Sequence, residues 1–435
     1  MSPRVALSRT FHSLRTRNYR LYFWGQVVSM SGTWLQSVAL SWLVLKITGN
    51  GLALGVVAAV QFAPFLLAGP WGGVVADRVD KRRMLVFTQS ASGALALALA
   101  VLVIGGWIQL WLVYALAFSL GLVNLVDMPT RQSFVIEMVG PTDLTNAVSL
   151  NSVVVNASRV IGPAVAGVLI ATAGIGICFL LNAVSYLAVI AGLLAMRRGE
   201  LQSAPPAQRG KRQLREGLAY AWSTPTLRTA LLLMAVIGTL AYNFSIVLPL
   251  LARETFRGGP GAFGALFSLV GVGAVLGGLV FATIGRPTPT VLAGSAVAFG
   301  LAMWAGALAP DLRLGLAAMV PIGAASTSFI ASCNTMLQLT SRPQMRGRMM
   351  ALFAVLFLGS TPIGGPLLGW IAERFGPRAA FGVGASAAVV AGLVALAAAL
   401  ASSRKTAKRQ TSGSLQRVPA EIEPAGREIG VPAHG

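Results

Sequence analysis

The dominant pattern along the chain is a series of long apolar runs separated by short polar segments. Each run approaches the roughly 20 residues that a helix needs to cross the hydrocarbon core of a bilayer. Since the runs lack the two-residue alternation of a membrane β-barrel, we expect an all-α membrane protein. The pattern predicts twelve transmembrane helices, near residues 19–46, 52–76, 84–106, 108–128, 146–172, 174–196, 226–251, 262–284, 289–309, 312–336, 348–371 and 378–401.

Two polar segments divide the chain into two bundles and a tail. The stretch "RRGELQSAPPAQRGKRQLREG", which begins at residue 197, is basic and contains two adjacent prolines, so it indicates a connector rather than a span. Weak similarity between "IGPAVAG" and "IGGPLLG" supports two six-helix pseudo-repeats around a central cavity. The predicted units are a segment at 1–18, a six-helix bundle at 19–196, a linker at 197–225, a second six-helix bundle at 226–401 and a disordered tail at 402–435.

Charge adds an orientation to this pattern. Only 11% of the 435 residues are charged and 55% are hydrophobic, yet the net charge is +21. The positive-inside rule places the basic linker and both termini in the cytoplasm, so we expect a multi-pass plasma membrane protein, in the inner membrane of a bacterium. Topology thus accounts for the basic excess without a nucleic-acid partner. The opposite side retains only Lys46, Arg253, Arg257, Arg313, Arg374 and Arg378.

The sequence contains no pattern that indicates catalysis. It has no metal-ligand cluster, no nucleophile–base arrangement and no G-x-x-x-x-G-K-[ST] phosphate loop. We therefore expect neither an enzyme nor a cofactor or metal site. The expected partners are a small-molecule substrate and the lipid bilayer, with the protein acting as a monomer.

The loop between the second and third spans carries "GVVADRVDKR" at residues 73–82. It resembles the signature loop of the major facilitator superfamily, although Asp80 stands where that family usually has glycine. In the family, the acid and the arginine form a cytoplasmic latch that favours the outward-open state. The alternative is a basic loop that only sets orientation. The resemblance implies latch roles for Gly73, Asp77, Arg78, Lys81 and Arg82.

Two further stretches, at residues 127–152 and 156–167, resemble the drug and siderophore exporter branch of that superfamily. The branch includes enterobactin exporters and macrolide efflux proteins. In the antiporters of this superfamily, a fifth span rich in glycine and proline is associated with export. The resemblance, which covers nearly residues 10–403, implies this role for Gly162, Pro163 and Gly167.

Charged residues within or near spans are functional candidates, because a charge at mid-bilayer costs about 3 kcal/mol on insertion scales. Asp127 can meet Arg78 or Arg131, the latter at i+4, and Glu137 lies nearby. Asp127, Arg131 and Glu137 are candidates for a charge relay or for proton coupling. Arg159, near the middle of the fifth span, either binds an anionic or phenolic substrate or holds a neighbouring helix.

Polar residues of the first span share one helical face, which we expect to meet the bundle interior or the cavity. The alternative is that these groups only form hydrogen bonds between helices. A cavity with few polar groups suits a bulky amphipathic solute better than a sugar. With Arg159, the cavity candidates are Gln26, Ser29, Thr33, Gln36, Asn243 and Asn334.

The features together predict a secondary active exporter of a small amphipathic molecule, drug-like or siderophore-like, that works by alternating access. Protons are the expected coupling ion, in antiport. Two alternatives stay open: an importer or facilitator of a small solute, and a non-transporting membrane sensor or scaffold. The direction of solute flux under an imposed proton gradient separates these possibilities.

The predicted orientation can be checked by cysteine labelling. Cysteines introduced at Ala207 and Gly413 should resist impermeant thiol reagents in intact cells and react after permeabilisation, because both positions lie in segments that the basic residues place in the cytoplasm. Rapid labelling of these cysteines from outside intact cells would contradict the prediction and indicate the opposite orientation.

Overall fold

The computed structural model describes residues 11–202, 213–284 and 287–415, although the side chains at 70–74, 76–77, 213–215, 284 and 402–415 lie outside the described part. Within these ranges the chain forms helices and loops, with no β-strand. The spans are α1 (Arg17–Thr48), α2 (Gly51–Arg78), α3 (Lys81–Ile104), α4 and α5 (the two arms of Leu110–Thr172), α6 (Ile175–Leu194), α7 (Pro225–Thr255), α8 (Pro260–Ile284), α9 (Pro289–Leu308), α10 (Leu312–Thr340), α11 (Pro343–Phe375) and α12 (Pro377–Leu415).

The described helices agree with the predicted twelve spans. Eleven helical segments of this part of the chain are long and apolar enough to cross a membrane, and the one of 63 residues contains two predicted spans. It is interrupted at Gly140, whose positive φ of 72° suits glycine, and Pro141 then starts α5. The all-α membrane fold predicted from the apolar runs is therefore confirmed.

Several spans begin at a polar residue that caps the helix. The Asn50 side chain accepts a hydrogen bond from the Ala53 amide at 3.0 Å, at the start of α2. Asp311 does the same for the Leu314 amide at 2.8 Å, at the start of α10. Such caps satisfy amide groups that have no partner within the helix. They allow very short loops between consecutive spans.

The last helix is longer than the sequence predicts, because it continues to Leu415 where a disordered tail is expected from residue 402. Residues 402–415 contain four lysines and arginines but also six serines and threonines and one glycine, so helix propensity alone does not explain the extension. Residues 203–212 of the predicted linker and 416–435 of the predicted tail lie outside the described residues. The described part of the linker includes a helix, Gln213–Ser223.

The up-and-down order of the spans gives the protein two faces. We call the end where α1 begins and where the breaks at residues 80, 140 and 197 lie the terminal face. The other end, with the loops at residues 49, 106, 174 and 376, is the distal face. The first six spans form one half and the last six form the other, and most helix contacts lie within a half.

Small residues join the two halves near the distal face. An ideal Cβ placed on Gly55 of α2 would lie 2.3 Å from the Gly365 main-chain oxygen in α11. An ideal Cβ on Gly264 of α8 would lie 2.5 Å from the Pro163 oxygen and 2.9 Å from the Gly167 Cα, both in α5. Because no side chain fits, these helices touch backbone to backbone. We call these two contacts the glycine seam.

The seam ends partway toward the terminal face. Gly271 of α8 still touches α5, since an ideal Cβ there would lie 2.9 Å from the Arg159 main-chain oxygen. Val153 lies about two turns before Val160, on the same side of α5, yet it is 63% exposed. Gly278 lies about two turns beyond Gly271, on the same side of α8, and the one described atom within 4 Å of an ideal Cβ there is Thr327 Cγ2 of α10, at 4.0 Å. α5 and α8 therefore separate toward the terminal face.

Hydrogen bonds between the halves, like the backbone contacts, lie near the distal face or beside the contact between α5 and α8. Two of them lie at the distal face, and one lies beside the contact between α5 and α8. The described halves are thus held together distally. The bonds that join described residues are those from Arg253 to the Leu45 main-chain oxygen at 2.9 Å, from Asn50 to Glu373 at 2.9 Å and from Ser268 to the Val160 main-chain oxygen at 2.6 Å.

We expect Gly264→Ala to open the distal face, because its methyl group would overlap main-chain atoms of α5 that cannot rotate away. Spin labels at Thr172 and Arg313, both exposed near the distal ends of α5 and α10, should then report a longer distance by pulsed electron paramagnetic resonance. The buried Cys178 and Cys333 are first replaced by alanine.

Gly294→Ala is the matched control, because nothing lies within 4 Å of an ideal Cβ at that position. Its distance distribution should equal that of the parent protein. If Gly264→Ala left the distribution unchanged as well, the glycine seam would not be the distal closure.

Candidate functional site

A buried charge network joins α1, α3 and α4 within the N-terminal half. Its centre is Asp127, which is 2% exposed. Thr88 Oγ1 and Gln89 Nε2 donate to one carboxylate oxygen at 2.6 and 2.8 Å. Arg131 forms an ion pair with the other oxygen, to which its Nε donates at 2.9 Å. Arg131 Nη1 also donates to Gln26 Oε1 at 2.5 Å. We call these five residues the Asp127 network.

The network explains how two charges lie in an apolar bundle. Of the two partners that the sequence allows for Asp127, the structure places Arg131 against it. Tyr22 of α1 is buried near the pair and packs edge-on against Phe134, with ring centroids 6.3 Å apart. Every carboxylate oxygen therefore has donors, and apolar side chains limit access to the pair.

Thr88 and Gln89 were not among the residues predicted from the sequence. Both lie in the third span, within "FTQSASG", where polar side chains interrupt an apolar run. That interruption is the signal that could have identified them. The sequence does not specify which other span the two side chains face.

Glu137 lies apart from the Asp127 network, although the sequence groups it with Asp127 and Arg131. It forms an ion pair with Lys81 at the start of α3, and both side chains are largely buried. Its main-chain oxygen accepts a hydrogen bond from the Gln202 amide at 2.8 Å. Glu137 thus ties α3 to α4 and to the start of the linker.

The predicted latch residues have different surroundings in the structure. Arg82 is buried and donates to the Leu193 and Leu194 main-chain oxygens at 2.6 and 3.0 Å, where a cation suits the C-terminal end of α6. Arg78 is exposed and forms no ion pair with a described side chain. The surroundings of Gly73 and the side chain of Asp77 lie outside the described part of the structure.

Asp80, the departure from the superfamily's loop pattern, caps α3. Its carboxylate accepts a hydrogen bond from the Arg83 amide at 2.9 Å. Its φ of −59° is ordinary for any residue, so the turn does not need glycine. Asp80 therefore gives up the backbone freedom of the usual glycine and supplies a cap for α3 instead.

The predicted fifth-span motif lies between the two halves. An ideal Cβ on Gly162 would lie 2.5 Å from the Trp34 Cβ in α1. Pro163 and Gly167 form the part of the glycine seam that meets α8. The motif therefore allows close packing of α5 on both sides.

The polar face of α1 does not act as one surface. Gln26 belongs to the Asp127 network, whereas Gln36 accepts a hydrogen bond from Asn182 of α6 at 2.6 Å. Ser29 is buried, and its main-chain oxygen accepts from the Thr33 hydroxyl at 2.9 Å. Thr33 alone of the four predicted residues is exposed. Gln26 and Gln36 thus form hydrogen bonds between helices, whereas the bond of Thr33 with Ser29 lies within α1.

The two predicted asparagines of the C-terminal half have local partners. Asn243 precedes Phe244 at a break in α7, and its Nδ2 donates to the Thr239 main-chain oxygen at 2.8 Å. Asn334 of α10 accepts a hydrogen bond from Gln338 at 2.5 Å. Neither contact joins the two halves.

Arg159 lies where the contact between α5 and α8 ends. Its guanidinium carbon is 5.5 Å from the centre of the Trp34 ring, a cation–π arrangement. The side chain is partly accessible, but its Nε atom is enclosed and has no hydrogen-bond partner among the described residues. Within the described part of the chain, no carboxylate forms an ion pair with it.

Comparison with known families gives a match along almost the whole chain. Residues 8–425 match the family described as transmembrane secretion effector. The match extends over both halves and the linker. It therefore concerns the complete two-bundle arrangement.

Similar curated proteins are transporters. The staphyloferrin A transporter of Staphylococcus aureus is 25% identical over 362 residues, 82% of this chain and 90% of the relative. The multidrug efflux pump Tap of Mycolicibacterium fortuitum is 27% identical over 379 residues, 83% and 90% of the two chains. Macrolide efflux protein A of Streptococcus pyogenes is 23% identical over 378 residues, 82% and 91% of the two chains.

Solved structures share the fold. A bacterial homologue of the human lysosomal transporter Spinster has a TM-score of 0.67 at 16% identity, with 89% of this chain and 95% of that chain covered. A POT family transporter in complex with 5-aminolevulinic acid has a TM-score of 0.72 at 13% identity, with 88% and 96% covered. The family match and the related transporters confirm the resemblance to the major facilitator superfamily.

Asp127→Asn should lower the melting temperature of the purified protein, because Arg131 would keep a buried charge without its carboxylate. Breaking a buried ion pair from one side costs about 3–5 kcal/mol. The double variant Asp127→Asn/Arg131→Gln removes both charges and should recover part of the loss.

Glu216→Gln is the control for this experiment. It breaks the ion pair with Arg348, in which the side chains are 53% and 25% exposed. Such a pair contributes about 0–1 kcal/mol, so the melting temperature should hardly change. A double variant that lost the full sum of both single losses would show that Asp127 and Arg131 do not act as a pair.

Proposed function

Because this chain belongs to the transmembrane secretion effector family of the major facilitator superfamily, we propose that it exports a small amphipathic molecule by alternating access. It is a secondary transporter and not an enzyme. The main support for alternating access is where the two halves touch. The halves meet at the distal face, and α5 and α8 separate toward the terminal face. Transport by rocking requires one closed face at a time.

We assign the terminal face to the cytoplasm. The loops and the linker on this face contain most of the basic residues, which the positive-inside rule places in the cytoplasm. With this orientation, the described conformation receives cargo from the cell interior. Opening of the glycine seam would then release cargo on the outside.

The coupling ion is proposed to be the proton, carried by Asp127. Arginine stays protonated at physiological pH, so within the ion pair only the carboxylate can exchange a proton. A proton on Asp127 would remove its attraction for Arg131 and occupy one of its acceptor oxygens. Arg131 also holds Gln26, so this change would alter the packing of α1 on α4. Glu137 is less suited, because it fixes Lys81 and the start of the linker.

The loop between α2 and α3 is proposed to act as the cytoplasmic latch. Lys81 and Arg82 tie the start of α3 to α4 and α6, so the loop moves with the N-terminal half. Asp77 and Arg78 are proposed to engage the other half when the terminal face closes. In the described conformation this face is open, which agrees with the exposure of Arg78.

The cargo class follows from the apolar interior and from the relatives. The names of the relatives refer to multidrug efflux, macrolide efflux and staphyloferrin A transport. Few polar side chains of the described spans are left without local partners, so the cavity offers mainly apolar contact. A compact amphipathic molecule fits this environment.

Inverted membrane vesicles provide the test, since their lumen corresponds to the outside of the cell. Ethidium, Nile red and pyrenebutyrate represent cationic, neutral and anionic amphipathic cargo. When respiration acidifies the lumen, at least one dye should accumulate there, and nigericin should abolish the accumulation. Asp127→Asn should lose the dependence on the gradient while retaining dye exchange, whereas Glu216→Gln should retain both.

Other outcomes would replace the proposal. Gradient-driven movement of dye out of the lumen would indicate an importer. Dye binding to the purified protein without any flux would indicate a sensor or scaffold. Gradient-driven accumulation that is normal in Asp127→Asn would assign coupling to another group.

A further inference from the structure

We propose that Arg159 is an anion-binding point in the transport pathway and that the cargo is an amphipathic organic anion bearing a carboxylate. The inference deepens the proposed export function, on which its physiological meaning rests. Its basis is the placement of this arginine, its missing counter-charge and its aromatic surroundings.

The placement of Arg159 matches that of a central site. It lies about 20 Å along α5 from Thr172 at the distal end, which is about 5 Å past the midplane of a bilayer about 30 Å thick. Its main-chain oxygen touches Gly271 of the other half. The next turns toward the terminal face lead to the exposed Val153. A molecule that enters between α5 and α8 from the terminal face would reach Arg159 where the helices converge.

The charge of Arg159 lacks a partner. In the described part of the chain, the buried Asp127 is already bound to Arg131, and no carboxylate pairs with Arg159. Tyr242, from the other half, lies close enough to interact electrostatically. However, its hydroxyl donates to the Ser326 main-chain oxygen at 2.6 Å, and a neutral phenol does not cancel a charge. Uncompensated charge in such a site favours binding of an anion.

Chemical geometry points to a carboxylate. A guanidinium offers two parallel N–H groups that match the two oxygens of a carboxylate. One face of the group is covered by Trp34, and the enclosed Nε still lacks an acceptor. A carboxylate approaching end-on in the guanidinium plane would meet the two Nη groups without displacing the tryptophan, and the enclosed Nε would gain an acceptor only if its neighbours moved aside.

Aromatic rings nearby suit the apolar body of such a cargo. Trp34 contacts Phe267 of α8, with ring centroids 5.8 Å apart. Tyr242 and Phe357 are both partly exposed and contact each other, with ring centroids 5.4 Å apart. The cation therefore lies between aromatic groups of both halves. Contact with both halves is the property that allows bound cargo to influence how they rock.

The test compares 1-naphthylacetate with its neutral isostere 1-naphthylacetamide, using calorimetry on the full-length protein in nanodiscs. The wild type should bind the carboxylate about tenfold or more tightly than the amide, as expected for hydrogen bonds to charged groups. Arg159→Gln should reduce carboxylate affinity to that of the amide and leave amide affinity unchanged. Arg159→Lys should have intermediate carboxylate affinity, because it keeps the charge but loses the two parallel N–H groups of the guanidinium.

Arg313→Gln is the control, because it removes an exposed positive charge far from this site. Its preference for the carboxylate should equal that of the wild type. A second measurement needs no variant: the naphthylacetate, but not the amide, should protect Arg159 of the wild type from phenylglyoxal, as read by mass spectrometry. This measurement decides the question if Arg159→Gln does not fold.

Equal affinity of the wild type for the two compounds would overturn the inference, as would a carboxylate preference that survives in Arg159→Gln. Accumulation of Nile red in inverted vesicles without any carboxylate preference would overturn only the anion site. A carboxylate preference lost in Arg159→Gln, without flux of any dye, would sustain the anion site and overturn only the export function.

Discussion

A charge inside hydrocarbon must find its partners within the protein, and this constraint shapes the N-terminal half. Asp127 finds hydrogen-bond donors on α3 and α4, and Arg131 extends the same network to a third helix, α1. At the terminal face, the charge of Arg82 is satisfied differently: its guanidinium donates to the last carbonyl oxygens of α6. These polar contacts lie within one half, so they let that half move as a unit.

The contacts between the halves follow a different rule. They are mostly approaches of one main chain to another, which are possible because the facing residues are glycines. Few hydrogen bonds cross between described residues of the two halves, so separation leaves few polar groups without a partner. Strong bonding within the halves and weak bonding between them is the combination that a rocking mechanism requires.

The span pattern could be predicted from the sequence because bilayer thickness sets the length of each apolar run. The pairing of Asp127 with Arg131 is one of two that the sequence allows, because residues four apart meet on a helix, and only the positions of the spans exclude Arg78. The contacts of Thr88 and Gln89 with that pair could not be predicted, because they depend on which spans are neighbours and how each is rotated. For the same reason Gln36 meets α6 rather than a cavity. The continuation of α12 to Leu415 lies in a polar segment, where hydropathy does not distinguish a helix from a coil.

The glycine seam has an evolutionary consequence. The distal closure depends on main-chain atoms, whereas the residues at the inner end of the seam, Arg159 and Trp34 among them, present side chains. Substitutions at the inner end can therefore change which molecules are recognised while the closing surfaces stay the same. A transporter built in this way can acquire a new specificity without redesign of its gate, and a single ancestral scaffold could diversify toward chemically unrelated cargoes.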